Sequence, residues 1–221
     1  MNDAPLTLRA DLQPIADLVQ RGARVLDLGC GTGDLLAWLQ AHRGVNGYGL
    51  EIDHDKITAC VKRGVNVIER NIDEDLCDFE SDSFDLVVMT ATLQAVHHPD
   101  RVLAEMLRIA PEGIVTFPNF GHWRCRLFLA TRGRMPVSGH LPHSWYDTPN
   151  IHLCTFADFE ALCAERGLEI TRRLVVDGHY HPHGLINRWP NLFGSIAVYG
   201  LARGSAAPPG QKPAQQTETT P

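Results

Sequence analysis

The chain has 221 residues, enough for an α/β unit whose sheet is covered on both faces. Its 20 Lys and Arg against 26 Asp and Glu leave a net charge of −6, which repels a phosphate backbone and argues against nucleic acid as a partner. The six cysteines form no Cys-x-x-Cys pair, no basic leader precedes an apolar stretch, and no apolar run approaches the ~20 residues of a membrane span, so we expect a reducing, cytoplasmic setting and no membrane.

Taken in chain order, Leu12, Ile15, Leu18 and Val19 recur at helical spacing and predict a first helix, with Pro14 tolerable only in its first turn. Residues 24–28 are a short β run ending at Gly29, and Leu35, Leu36 and Leu39 predict a helix over 34–40. The alternation continues with a strand at 46–51, a helix at 55–63, strands at 65–69 and 84–89, a helix at 99–109 and a strand at 113–117. Strands alternating with helices predict a doubly wound, mostly parallel sheet built from right-handed crossovers.

Periodicity fails over residues 119–152, where glycine, proline, histidine and aromatic residues mix, and a connection this long is expected to be a functional lid or an interaction segment. A helix follows at 155–166, with Thr155 as N-cap and Asp158 three residues on. Two further strands, 169–176 and 195–202, complete seven as a C-terminal antiparallel pair joined by 177–194. We expect one domain over 1–203, and disorder in 204–221, which has no aromatic or large aliphatic side chain.

The stretch VLDLGCGTGDLL carries the most chemistry. Gly29, Gly31 and Gly33 at alternate positions between a strand and a helix let the backbone turn tightly and approach a ligand closely. A dinucleotide fingerprint would place Gly or Ala where Asp34 stands, and a carboxylate at that helix N-terminus disfavours a pyrophosphate. An uncharged or cationic ligand fits better. S-adenosylmethionine (SAM) has no phosphate, its ammonium and sulfonium groups favour Asp27, and Glu51, 24 residues further on at a strand end, is spaced to accept ribose hydroxyls. For the adenine end, ERNIDEDL resembles the third methyltransferase motif: Asn71 or Asp73 would receive the amino group while the Ile72 amide faces the ring, Asn71 standing where an aspartate is usual.

The segment VVMTATLQAVHHP would line the side on which a methyl acceptor binds, yet it lacks the Asn/Asp-Pro-Pro-aromatic cluster and the Pro-Cys pair of known acceptor types. His97 and His98 are general-base candidates, with a loop pair capping the following helix as the alternative. Tyr146 is a third candidate near an acceptor. His179, His181 and His183 do not make a metal site, because Pro182 breaks a strand there and no cysteine or acid joins them.

The mid-chain run FPNFGHWRCRLFLATRGRMPVSGHLPHSWYDTPNIHLCTFADFEALC closely resembles the MetW family of methionine biosynthesis proteins, and the resemblance extends over residues 12–203. It implies a class I SAM methyltransferase-like fold, SAM or S-adenosylhomocysteine as ligand, and a part in methionine synthesis. It also implies partnership with a MetX-type homoserine O-acyltransferase, which the chain would bind and activate as an accessory protein. A small-molecule SAM-dependent methyltransferase is the alternative function. Residues 119–152 carry a net charge of +3 beside Trp123, Phe128, Trp145 and Tyr146, so Trp123, Arg124, Arg126, Arg134 and Trp145 are candidate partner-binding residues. The same segment could equally fold as a lid over the ligand pocket.

Overall fold

The computed structural model describes residues 7–74, 76–138, 141–176 and 188–204. The three histidines at 179–183 and the tail beyond Gly204 lie outside them. Seven strands, β1 (Arg24–Leu28), β2 (Asn46–Glu51), β3 (Asn66–Glu69), β4 (Leu86–Thr90), β5 (Glu112–Pro118), β6 (Leu168–Val176) and β7 (Ile196–Arg203), form one sheet in the order β3-β2-β1-β4-β5-β7-β6. The first five pair in parallel, whereas β7 runs antiparallel to both β5 and β6. The doubly wound sheet and its antiparallel end are therefore as the sequence predicts.

Side-chain alternation builds two cores. Along β4, Leu86 and Val88 join Val25, Ile114 and Val198 on one face, and Val87 and Met89 join Leu26, Leu28 and Val115 on the other. The first face is covered by α1 (Gln13–Ala16) and α2 (Asp34–Arg43), through Ile15, Leu36 and Leu39, and by Cys60 of α3 (His54–Lys62). The second is covered by α4 (Pro99–Ile109), through Leu103 and Met106, and by α6 (Phe156–Arg166), through Phe156 and Phe159. A capping box fixes the start of α6: the Thr155 hydroxyl accepts from the Asp158 N–H and the Asp158 carboxylate accepts from the Thr155 N–H.

Three expectations about elements need correction. The first helix is a single turn, Gln13–Ala16, because Pro14 confines the regular pattern to its start and the chain then continues in turns. The strands expected at 65–69 and 84–89 are Asn66–Glu69 and Leu86–Thr90. Within the stretch expected to be irregular, α5 (Trp123–Arg132) is a ten-residue helix, started by the His122 ring accepting from the Arg124 N–H and ended at Gly133. Only Cys125 of α5 is buried, so no apolar stripe announces the helix in the sequence. A short α7 (Pro190–Phe193) precedes β7.

Candidate functional site

Strands β1 and β4 are neighbours at the sheet's centre, and their outgoing connections run to opposite sides, which opens a crevice at their carboxyl ends. The glycine turn fills the rim of that crevice. Gly29, Gly31 and Gly33 all have positive φ, at 76°, 57° and 75°. A Cβ on Gly29 would lie 2.6 Å from the Thr92 hydroxyl and one on Gly33 would lie 2.9 Å from the Cys60 sulfur, while Gly31 faces open space. The first and third glycines are thus required by packing as well as by φ, and the second leaves backbone exposed to a ligand. Cys30 and Cys60, buried with sulfurs 3.8 Å apart, pack α3 against this turn, and Cys60 donates to the Gly31 carbonyl at 3.2 Å.

Two acids shape the crevice. Glu51, buried at the end of β2, accepts from the Gly31 N–H at 3.0 Å, from Ile52 at 2.9 Å and from Asp53 at 3.1 Å, with the Lys56 ammonium 3.9 Å away. Its carboxylate therefore ties the glycine turn to β2 and has about one lone pair left for a ligand hydroxyl. Asp27, only 2% exposed, has an Oδ1 with no hydrogen-bond partner. Burial and, second, the nearby charge of Glu51 push its carboxyl up to about 7. A buried carboxyl with an unused oxygen leaves an unmet hydrogen-bonding group at the crevice.

Between its ordinary 3.8 and about 7, Asp27 keeps its proton in the folded chain and has lost it in the unfolded chain, so the sign of the linkage makes stability fall as pH rises through that window. The slope from this one group is up to about 1.4 kcal/mol per pH unit. Thermal unfolding scanned across the window should show the wild type losing stability relative to Asp27→Asn as pH rises. Parallel profiles for the two proteins would show that the carboxyl is not held neutral.

At the adenine end expected from the sequence, Ile72 is buried and Asn71 is exposed, with its Oδ1 accepting from the Asp73 N–H at 3.0 Å. Asp73 is engaged elsewhere: it accepts from the His97 N–H at 2.7 Å and meets the His97 Nδ1 at 2.8 Å. Burial opposes ionisation of Asp73, but these bonds outweigh it and hold the carboxyl below its usual range. His98 occupies the N-cap position of α4 without a side-chain cap, so neither histidine caps through its ring. Asp34, expected to repel phosphate, is held by Arg63 at 3.1 Å and by the Thr32 hydroxyl at 2.8 Å.

The carboxyl end of β4 carries features that the sequence does not announce. Ala91 has φ 51°, a strained conformation for a residue with a Cβ, and its N–H donates to the hydroxyl and carbonyl of Thr116. Thr90 Oγ1 and the buried Gln94 Oε1 have no hydrogen-bond partner. The Gln94 carbonyl accepts from the N–H groups of Ile151 and His152 at 2.7 and 2.9 Å, so the returning end of the 119–152 segment is pinned beside this strand end. Tyr146 lies on the surface, edge to face with Trp145 at 5.8 Å, and both rings are about three-quarters exposed. Among the described residues no cluster of three or more His, Cys, Asp or Glu could hold a metal, and no helix is long and apolar enough to cross a membrane.

A family model described as methionine biosynthesis protein MetW matches residues 9–201. The bifunctional methionine biosynthesis protein MetXA/MetW of Rhodopirellula baltica is 33% identical over 207 residues, covering 90% of this chain and 33% of that protein. A ubiquinone biosynthesis O-methyltransferase of Hahella chejuensis is 34% identical over 122 residues, covering 53% of this chain and 46% of that one. The chain thus spans a third to a half of the length of these relatives. Among solved structures, an S-adenosylmethionine dependent methyltransferase from Mesorhizobium loti superposes with a TM-score of 0.65 at 17% identity, over 90% of this chain and 100% of that one. The [4+2]-cyclase SpnF superposes at 0.60 with 19% identity, over 89% and 82%. One fold carries proteins named for different reactions, so the fold by itself does not assign methyl transfer.

Proposed function

Because the chain belongs to the MetW family of methionine biosynthesis proteins, we propose that it is a SAM-binding accessory protein that partners and activates a MetX-type homoserine O-acyltransferase. The observation that carries this reading is the Rhodopirellula baltica relative, in which a MetW portion like this chain shares one polypeptide with a MetXA portion. Fusion holds two modules at high effective concentration, an arrangement that favours proteins working in contact. The reading places the chain in the cytoplasm.

The crevice suits SAM or S-adenosylhomocysteine. Asp27 would take the ammonium and sulfonium end, Glu51 a ribose hydroxyl, and the turn Gly29, Gly31 and Gly33 would allow close backbone approach. Ile72 and the Asn71 side chain would border the adenine, with Ile52, exposed just beyond Glu51, as an apolar face that sequence reasoning overlooked. When bound, SAM supplies a methyl group on a sulfonium and, through it, a positive charge for Asp27.

The association is tested by titrating the acyltransferase of the same organism with this protein and following the complex by calorimetry and sedimentation. A saturable complex of fixed stoichiometry is expected; its absence with both proteins folded overturns the accessory reading. Repeating the titration with SAM present asks whether the nucleotide regulates assembly, since it shifts that equilibrium only by its difference in affinity for the free and bound states.

The unpartnered oxygens of Thr90 and Gln94 beside the crevice, and the His97–Asp73 pair, favour a second reading, a SAM-dependent methyltransferase acting on a small molecule. His97, whose ring is held by Asp73, is its first general-base candidate, ahead of His98 and Tyr146. Release of S-adenosylhomocysteine on presenting small alcohols and amines would support it, and absence of release would leave the pocket as a binding site alone.

A further inference from the structure

We infer that the face of α5 opposite Cys125 is the surface on which the acyltransferase docks, through an apolar groove bordered by carboxylates. The inference rests on the accessory reading above. A ten-residue helix is marginal on its own, and α5 is anchored to the body by a single buried side chain. At 100° per residue, the direction opposite Cys125 falls between Trp123 and Leu127, with Ala130 one turn on and Arg124 and Arg126 on either flank. Trp123 is 39% and Leu127 53% exposed; Phe128 and Leu129, also exposed, lie on the Cys125 side of the helix and are not part of this ridge. An i, i+4 apolar ridge of this kind is how a helix is laid into a groove.

The charges choose the occupant. From Asn119 to Tyr146 the chain has four arginines and no acid. A second copy docked by the same face across a twofold axis would set those arginines against themselves, without a carboxylate to separate them. The partner must bring the carboxylates. Arg124 lies over the Trp123 ring at 5.5 Å, which holds its guanidinium at the edge of the ridge, whereas the Arg126 Nε is turned back to the Gly121 carbonyl at 2.5 Å and clamps the first turn. Arg124, Trp123 and Leu127 therefore form the centre of the surface, an Arg and aromatic combination enriched at binding hot spots. Trp145 lines a separate small cavity with Met135, Pro136 and Leu141, none of them on α5.

The test uses the full-length protein and its acyltransferase, with Leu127→Asp and Arg124→Glu as separate variants and Val61→Asp, an exposed apolar position on α3, as a control of the same kind. Circular dichroism and SAM binding report whether each variant is folded, and Arg124→Glu keeps the test open if Leu127→Asp is not. Each docking variant is expected to weaken the complex by roughly thirtyfold or more, while Val61→Asp stays near wild type. Higher salt should weaken the wild-type complex most. Wild-type affinity in both variants, with wild type itself binding, overturns the docking surface and leaves the accessory reading intact. A wild-type protein that forms no complex removes both. Loss of self-association instead of acyltransferase binding would give the face to a second copy and overturn the assignment.

Discussion

Replacing Glu51 with alanine is expected to weaken SAM binding by roughly a hundredfold or more, the largest effect of any single substitution in the crevice. The carboxylate accepts from three backbone N–H groups, Gly31, Ile52 and Asp53, and its loss unties the glycine turn from β2 as well as removing the acceptor proposed for a ribose hydroxyl. Glu51→Gln separates the two contributions. It keeps one carbonyl oxygen for the backbone but loses the charge and sets an N–H₂ group where an acceptor is needed, so it should bind with intermediate affinity in a better-ordered turn. Calorimetry with SAM and with S-adenosylhomocysteine checks both variants. Alanine binding within about threefold of wild type would show that the ligand does not use this end of β2.

The second large effect concerns stability. Phe117 of β5 is fully buried and touches three aromatic rings, with centroids 4.9 Å from Phe159, 5.9 Å from Tyr199 and 6.0 Å from Phe156. These residues join β5, β7 and α6, the junction at which the antiparallel end of the sheet meets the parallel part. Phe117→Ala should cost about 3–5 kcal/mol, read as a lower denaturant midpoint with an unchanged slope. Tyr199→Phe should cost only about 1 kcal/mol. The Tyr199 hydroxyl donates to Glu160 at 2.6 Å, and Glu160 keeps Arg173 at 2.7 Å when that hydroxyl is gone. A mild Phe117→Ala would mean that the two halves of the sheet unfold independently.

How much of this was legible beforehand follows from the physics of each part. The central strands announce themselves because β4 reads as an apolar run from Leu86 to Met89 and β1 as Val25, Leu26 and Leu28 broken only by Asp27, and the glycine turn because positive φ at three alternate positions leaves glycine as the residue of choice. Asp27 stands out as an acid within the apolar part of β1, and Glu51 as an acid at the end of β2. What they do does not follow from spacing: Glu51 holds backbone amides, and Asp27 has a carboxyl held neutral to about pH 7 by burial.

The hidden features are those set by contacts between distant segments. His97 reads as either a general-base candidate or a loop residue capping the next helix until Asp73, 24 residues earlier, is found on its ring. Asp34 reads as a barrier to phosphate until Arg63 neutralises it. The strained φ of Ala91 depends on Thr116 across the sheet, and the Gln94 backbone carbonyl is met by the returning N–H groups of Ile151 and His152. The helix α5 escapes notice because its apolar residues face outward, the reverse of the pattern by which a helix in a core is recognised. Its arginine and aromatic composition, by contrast, is visible in the sequence and is what makes the face a candidate for docking.

The measurement that bears most directly on the accessory role is homoserine acyl transfer by the purified acyltransferase of the same organism, with acetyl-CoA and with succinyl-CoA, as this protein is titrated in. A large, saturable rise in rate with one of the two donors is expected. An unchanged rate with both, from a folded and SAM-binding protein, would contradict the accessory role.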